Sequence, residues 1–187
     1  MKRTKKAIMK IEGRSIVLRL VDIKDAQFIL NLRLDKKLNK FISKTNTSLA
    51  SQIRWLEDYK KREADKQEYY FIVESKEQQK YGTIRLYDFM NDSYCWGSWI
   101  IKKGAPSRAA IESVLLAHQF GFYTLGFRRS RCNVRKTNKK VTAFYLRLGF
   151  KSVNSDKFNY YLELSMDIFE ETQKRYKKYL VNKNHVY

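Results

Sequence analysis

Hydrophobic patterns along this 187-residue chain predict an α/β (α+β) fold, in which helices pack on a mixed β-sheet. Short runs of β-branched and aromatic residues alternate with stretches that have the apolar spacing of helices. Three of the strand patterns follow one another without an intervening helix, as in a meander. The length and a hydrophobic content of 43% suit a single domain with a substantial core.

The first elements predicted are a strand and a helix. After a basic arm at residues 1–14, residues 15–20 form a β-branched and aliphatic run that is typical of a strand. Asp22 and Asp25 can cap the helix that follows. The apolar face expected for this helix consists of Ala26, Ile29, Leu30 and Leu34.

A second helix is expected at residues 48–62. We expect Trp55 and Tyr59 to face a groove. The positions expected to be buried are Leu49, Ile53 and Leu56.

Three strand patterns come next, at residues 69–74, 82–87 and 94–101. Polar turns at residues 75–80 and 91–93 separate them. The segment therefore predicts a meander.

The rest of the chain alternates helices and strands. A loop at residues 102–108 contains the only proline, Pro106, and leads to a long apolar helix at residues 109–125 that ends at Gly126. The elements expected after it are a strand at residues 131–134, a helix beginning at Asn138, strands at residues 150–154 and 159–164, and an amphipathic helix within residues 167–179.

The most informative local pattern lies at residues 138–150, with the spacing N-x6-Y-x3-G-F. Asn138 is a strong N-cap, because its side-chain oxygen can accept from the free N–H groups of a first helical turn. Apolar residues at spacings of three and four place Tyr145 on the buried side of this helix, and Gly149 fits a left-handed stop. By these local features Tyr145 is either a core tyrosine or a functional phenol.

Positive charge dominates the chain, with a formal net charge of +20. Residues 113–155 contain no Asp or Glu, although Lys and Arg occur throughout their second half. Such a block is either a solvated basic face or a site for an anionic ligand. The composition therefore favours partners that carry phosphate.

Several other classes of protein are disfavoured. The apolar runs are too short to span a bilayer, and no apolar stretch follows the basic start, so we expect a cytoplasmic protein without membrane insertion. Cys95 and Cys132 are too few for a disulfide scaffold. Together with His118 and His185 they make no zinc-ligand spacing, and no metal is expected.

The order of elements and the N-x6-Y-x3-G-F segment together resemble the Gcn5-related N-acetyltransferase (GNAT) superfamily. The resemblance implies a mostly antiparallel, twisted sheet of six to seven strands with helices on both faces. It assigns residues 15–165 to an acyl-CoA N-acyltransferase domain and residues 166–187 to a basic C-terminal helix or tail. Acetyl-CoA would be the acyl donor to a primary amine. Tyr145 would protonate the departing CoA thiolate, and Asn138 would hydrogen-bond the cofactor arm.

The resemblance also implies a cofactor loop at residues 102–110, whose backbone N–H groups and helix start hold the pyrophosphate. This loop departs from the family's glycine-rich pattern, because Arg108 stands where the first motif glycine is expected. The preceding strand would splay and pair with pantetheine through its backbone. The CoA-binding residues implied, besides Asn138, are Ile100, Ile101, Lys103, Gly104, Ser107, Arg108, Ala109 and Ala110.

The general base stays open. Many relatives have a Glu on the fourth predicted strand where this chain has Cys95, and a neutral thiol deprotonates an ammonium poorly. The alternatives are Asp88, Asp92 and a water held near Tyr94. His118 is interpreted as a surface or core histidine of the long helix.

Three strings, at residues 31–33 (NLR), 96–102 (WGSWIIK) and 134–138 (VRKTN), resemble bacterial acetyltransferases of surface-polysaccharide and flagellin sugar pathways. These enzymes N-acetylate a nucleotide-bound amino sugar, an anionic acceptor that suits a basic protein. The alternatives are N-terminal acetylation of a ribosomal protein or peptide, and a non-catalytic module that binds nucleic acid through its basic face. Cationic polyamine and aminoglycoside acceptors are disfavoured by the charge. The resemblance also makes a homodimer plausible.

Overall fold

The computed structural model describes residues 9–42 and 47–181, which form one eight-stranded sheet and five α-helices. The strands are β1 (Lys10–Glu12), β2 (Val17–Leu20), β3 (Tyr69–Glu74), β4 (Lys80–Met90), β5 (Ser93–Ile101), β6 (Arg129–Arg135), β7 (Lys151–Ser155) and β8 (Asn159–Ser165). Their order across the sheet is β1-β2-β3-β4-β5-β6-β8-β7. Among these strands β5 and β6 are parallel neighbours, and the other neighbouring pairs are antiparallel. The predicted mixed, mostly antiparallel sheet is confirmed.

The sheet has eight strands rather than six to seven. The added strand is β1, which lies in the segment expected to be a basic arm and pairs antiparallel with β2. A strand of three residues, KIE, carries too little alternation to stand out in a lysine-rich sequence. The first eight residues of that expected arm lie outside the described residues.

The helices are α1 (Ala26–Leu34), α2 (Leu49–Ala64), α3 (Ala109–Gln119), α4 (Lys139–Arg147) and α5 (Met166–Arg175). Helix α3 continues into a π-helical turn at Phe120–Thr124, and the chain then turns at Gly126 with φ of +80°. The long helix predicted at residues 109–125 is therefore confirmed, with a change of helix type in its last turns.

The helices lie on both faces of the sheet, as predicted. Helices α1 and α2 cover one face through a cluster that includes Ile29, Leu56, Tyr59 and Ile72. The other face carries α3, α4 and α5 around a larger cluster. Both faces of β3 are therefore buried, since its alternate side chains enter different clusters.

Three predicted orientations are wrong. Leu34 and Leu49 are exposed, because each stands at an end of its helix, beyond the part that covers the sheet. Tyr59 is fully buried instead of facing a groove. Its hydroxyl donates to Glu63 and accepts from the backbone N–H of Tyr70 at 2.8 Å, and such pairing is what permits a phenol in the core.

Strands β5 and β6 separate along their length. They pair only from Ser93–Cys95 to Arg129–Arg131, while β5 runs on to Ile101 and β6 to Arg135. A bulge in β5 adds to the separation: Arg85 of β4 pairs with Gly97, and Thr83, two residues earlier, pairs with Ile100. The facing edges of β5 and β6 beyond the paired part therefore carry backbone groups that the sheet leaves open.

The C-terminal helix packs onto the sheet. Phe169 of α5 belongs to the larger core cluster, and the hydroxyl of Thr172 donates to the backbone oxygen of Leu148 at 2.8 Å. The helix expected within residues 167–179 is therefore present, mainly as α5. Residues 182–187 of the expected tail lie outside the described residues.

Candidate functional site

A cleft of about 770 Å³ opens where β5 and β6 separate. Its walls come from the bulged part of β5, the open edge of β6, the first turns of α4 and the segment around the end of α1. Five of the residues assigned by the resemblance line it together: Ile100, Ile101, Ala110, Asn138 and Tyr145.

Tyr145 reaches this cleft because both ends of α4 are defined locally. The Asn138 side chain accepts from the N–H of Val141 at 3.4 Å, which makes it the predicted N-cap. Gly149 has φ of +96°, and the N–H of Phe150 donates to the Tyr145 oxygen at 3.1 Å, as in a Schellman motif. The predicted cap and stop are both confirmed.

The Tyr145 ring is 8% exposed and packs against Trp96 and Phe150, with ring centroids 5.0 and 5.6 Å away. No hydrogen bond to another described residue holds its hydroxyl. Burial raises the pKa of Tyr145 well above its usual value. The phenol therefore stays protonated at neutral pH, as a hydrogen-bond and proton donor must.

The open edge of β5 lies beside Tyr145. Ile101 and Ile100 pair on one side with Gly82 and Thr83 of β4, and no β6 residue pairs with them on the other. A Cβ on Gly82 would lie 2.0 Å from the Ile100 oxygen, so only glycine allows this pairing. The cleft thus has a backbone edge that an extended, amide-containing chain can extend by one strand.

The start of α3 forms one end of the cleft, where Ala110 lines it. The N–H groups of Ala110 and Ile111 donate to no acceptor among the described residues, as expected for a first helical turn. Ala109 is buried in the core instead of lining the cleft. The other residues assigned to the cofactor loop are exposed and outside the lining: Lys103, Gly104, Ser107 and Arg108.

The cleft is positively charged. Five cationic side chains line it, and no Asp or Glu occurs among its described lining residues. The cations come from α1 and the segment after it, from β4, from β6 and from α4: Arg33, Lys37, Arg85, Arg135 and Lys140. A cleft of this kind attracts anions and repels cationic ligands.

The carboxylates considered as bases lie outside the cleft. Asp88 pairs with Arg131 at 3.3 Å, and Asp92 pairs with Arg129 at 2.9 Å, which lowers the pKa of Asp92. Burial raises the pKa of the Cys95 thiol, so Cys95 stays neutral and is a poor base.

Tyr94 and His118 are core residues. Tyr94 is fully buried, with its ring 5.8 Å from that of Phe122. His118 contacts the Val114 oxygen at 2.8 Å and the Ser130 hydroxyl at 3.0 Å, and burial lowers its pKa to about 4. Of the two interpretations of His118, surface or core histidine, the structure shows the core one, and neither residue lines the cleft.

Sequence reasoning missed Arg85 of β4 and the cleft residues in the segment after α1. Arg85 and Tyr87 alternate with core residues along β4, so a charged residue in mid-strand was the available signal. Lys37, Phe41 and Ile42 line the cleft from a segment without a strong periodic pattern. Only packing brings them near Tyr145.

Two further properties concern the described part of the chain. No helix there is both long and apolar enough to cross a membrane. Nor does the part of the chain that the structure describes bring three His, Cys, Asp or Glu side chains together as metal ligands, and both cysteines are free thiols.

Comparison with known proteins identifies the class. Residues 15–151 match the family model described as acetyltransferase (GNAT) domain. The chain therefore belongs to the GNAT family of acetyltransferases and is an acyltransferase. No curated protein matches the chain in sequence.

Solved structures agree with the family. The structure described as apo FdhC, a nucleotide-linked sugar GNAT, is 40% identical with a TM-score of 0.85, and the match covers 92% of this chain and 98% of that one. A Vibrio cholerae spermidine N-acetyltransferase in complex with CoA and spermine is 20% identical, with a TM-score of 0.68 and coverage of 83% and 98%. A ribosomal-protein-S5-alanine acetyltransferase from Vibrio fischeri is 16% identical, with a TM-score of 0.73 and coverage of 84% and 97%. At 20% and 16% identity, the last two structures are similar to this chain in fold.

Proposed function

We propose that the protein transfers an acetyl group from acetyl-CoA to the primary amine of a nucleotide-linked amino sugar that is used in surface-polysaccharide or glycan synthesis. The observation that carries this proposal is the cleft beside Tyr145, with its five cations and no carboxylate among the described lining residues. The acyl donor and a nucleotide-linked sugar both carry a diphosphate, so both suit this cleft. The 40% identity with a nucleotide-linked sugar GNAT supports the same acceptor class.

The residues present fit CoA. The open edge of β5 at Ile100 and Ile101 offers backbone groups to the amides of the pantetheine arm. The free N–H groups at Ala110 and Ile111 offer donors to the pyrophosphate. The Asn138 side-chain oxygen caps α4, which leaves its NH₂ group for the cofactor arm. Lys103, Ser107 and Arg108 are exposed at the same end, where their side chains can reach outer phosphates.

The reaction forms a bond between the amine nitrogen and the thioester carbonyl carbon, and it breaks the bond between that carbon and sulfur. As sulfur leaves with the electron pair, Tyr145 donates its proton and is then reprotonated from solvent. The ammonium form of the amine loses one proton to become nucleophilic and a second as the amide forms, and both go to water, since no carboxylate is among the described lining residues. The cationic lining favours this loss, because nearby positive charge lowers the pKa of an ammonium.

The test uses the purified full chain in two stages. Acetyl-CoA at about 100 times its Kd should stabilise the fold by about 2.7 kcal/mol and raise the Tm. Thiol release is then measured with a panel of nucleotide-linked amino sugars, and with spermidine and an N-terminal ribosomal peptide as competing acceptors. Turnover of a nucleotide amino sugar is expected.

Other results would point elsewhere. Turnover of the ribosomal peptide alone would show that the acceptor is a protein N-terminus and not a nucleotide-linked amino sugar. Absence of stabilisation by acetyl-CoA, with tight and salt-sensitive RNA binding, would favour a nucleic-acid-binding module.

A further inference from the structure

The side chain of Arg85 is held in one orientation at the cleft. Its Nε donates to Oε2 of Glu68 at 2.7 Å, and its Nη2 donates to the same oxygen. Its guanidinium carbon lies 5.1 Å from the ring centroid of Trp55 and 4.7 Å from that of Tyr87. Glu68 is 3% exposed, so this carboxylate is an orienting partner inside the protein.

The pairing with Glu68 leaves Arg85 able to bind an anion. Glu68 also accepts from Nε of Arg62 at 2.7 Å, so one carboxylate serves two guanidinium groups and the cluster keeps one net positive charge. The Nη1 group of Arg85 donates to no described residue. Arg85 lines the cleft, whereas Arg62, Glu68 and Trp55 do not.

Arg85 lies on the side of the cleft away from the start of α3. It packs against Trp55 of α2, on the face of the sheet that α1 and α2 cover, whereas α3 lies on the other face. It stands three residues after Gly82, the partner of Ile101, which corresponds to about 10 Å along β4 from the end of β5 that leads to α3. An anion at Arg85 is therefore separate from one at the start of α3.

We propose that Arg85, oriented by Glu68, binds the diphosphate of the acceptor nucleotide and so selects nucleotide-linked amines. Arg33 and Lys37 line the same cleft and add positive charge on this side. A guanidinium whose fork is already fixed loses little freedom on binding a phosphate oxygen. The inference rests on the proposed function, because it assumes a nucleotide acceptor.

The experiment measures binding of UDP and dTDP by calorimetry, and their competition with the amino-sugar acceptor. Arg85→Gln should weaken binding about 10- to 100-fold, the scale of a charge-assisted hydrogen bond, and leave the KM for acetyl-CoA unchanged. Arg85→Lys keeps the charge but loses the fork, and should weaken binding about 10-fold. Arg147→Gln is the matched control, since Arg147 is exposed on α4 outside the cleft lining and should change neither value.

Glu68→Gln separates orientation from charge. This substitution removes a negative charge near the cleft, so nucleotide binding would strengthen if charge alone mattered. If the orientation of Arg85 matters, as we propose, nucleotide binding should weaken several-fold. Near-ultraviolet circular dichroism of each variant checks the fold, and Arg85→Lys keeps the test valid if Arg85→Gln unfolds.

The possible failures are distinguishable. Wild-type affinity for both nucleotides in folded Arg85→Gln would overturn the role of Arg85 and leave the acceptor class standing. A wild-type protein that binds acetyl-CoA but neither UDP nor dTDP would overturn the role of Arg85 and the nucleotide acceptor together.

Discussion

Replacing Tyr145 by Phe tests the leaving-group chemistry without disturbing the fold. The ring remains against Trp96 and Phe150, and no described residue hydrogen-bonds the lost hydroxyl. The free energy of unfolding should therefore change by no more than about 0.5 kcal/mol. Turnover should fall about 100-fold or more, the scale of general acid catalysis, because sulfur then leaves without a proton donor.

Tyr59→Phe is the matched control, because it removes a hydroxyl with the opposite properties. Tyr59 is fully buried, and its hydroxyl accepts from the N–H of Tyr70 at 2.8 Å and donates to Glu63. Its loss leaves a buried N–H unpaired and should destabilise the fold by about 1–3 kcal/mol. Tyr59 is outside the cleft, so turnover per folded molecule should stay at the wild-type level.

The assay combines chemical denaturation with thiol release at saturating acetyl-CoA and acceptor. Unchanged turnover of Tyr145→Phe would refute the reasoning and show that water protonates the thiolate. A large loss of stability in the same variant would instead reveal a structural role for the hydroxyl.

Two predictions concern pH. Because no carboxylate is among the described residues of the cleft lining, kcat/KM should rise with pH along the titration of the acceptor amine. For two acceptors with different amine pKa values, the rise should occur at correspondingly different pH. A rise at the same pH for both acceptors would indicate a base on the enzyme. Burial lowers the pKa of His118 to about 4, so the unfolded chain binds its proton more readily and stability should fall as pH drops from about 6.5 towards 4, by up to about 3 kcal/mol. Tm measured against pH checks this, and His118→Gln should flatten that part of the curve; equal slopes in both proteins would contradict it.

Much of the fold was predictable because its signals are local. The alternation in β3 and β5, the cap at Asn138 and the glycine stop at Gly149 depend on residues a few positions apart. β1 was missed because three residues in a basic segment acquire strand geometry only by pairing with β2. Tyr59 was misplaced because its burial depends on a partner, the Tyr70 N–H, that belongs to another element.

The candidate site divides in the same way. Tyr145 and Asn138 were predicted from one short segment, and Ile100, Ile101 and Ala110 from the end of a strand and the start of a helix; all five line the cleft. Arg85 was not predicted, because its orientation depends on Glu68, seventeen residues away, and on a ring from α2.

The sequence by itself determined the class of fold, the α4 segment that presents Tyr145, and an excess of positive charge of +20. These follow from periodicity, capping and composition, which act over short distances or over the whole chain. Only the tertiary structure decided where the cationic side chains come together. The separation of β5 from β6 opens the cleft, and the packing of α1 and β4 places Arg33 and Arg85 in it. The local density of charge depends on which residues, distant in sequence, lie close together in the folded chain. Sequence patterns do not show these contacts, because they form only when the elements pack.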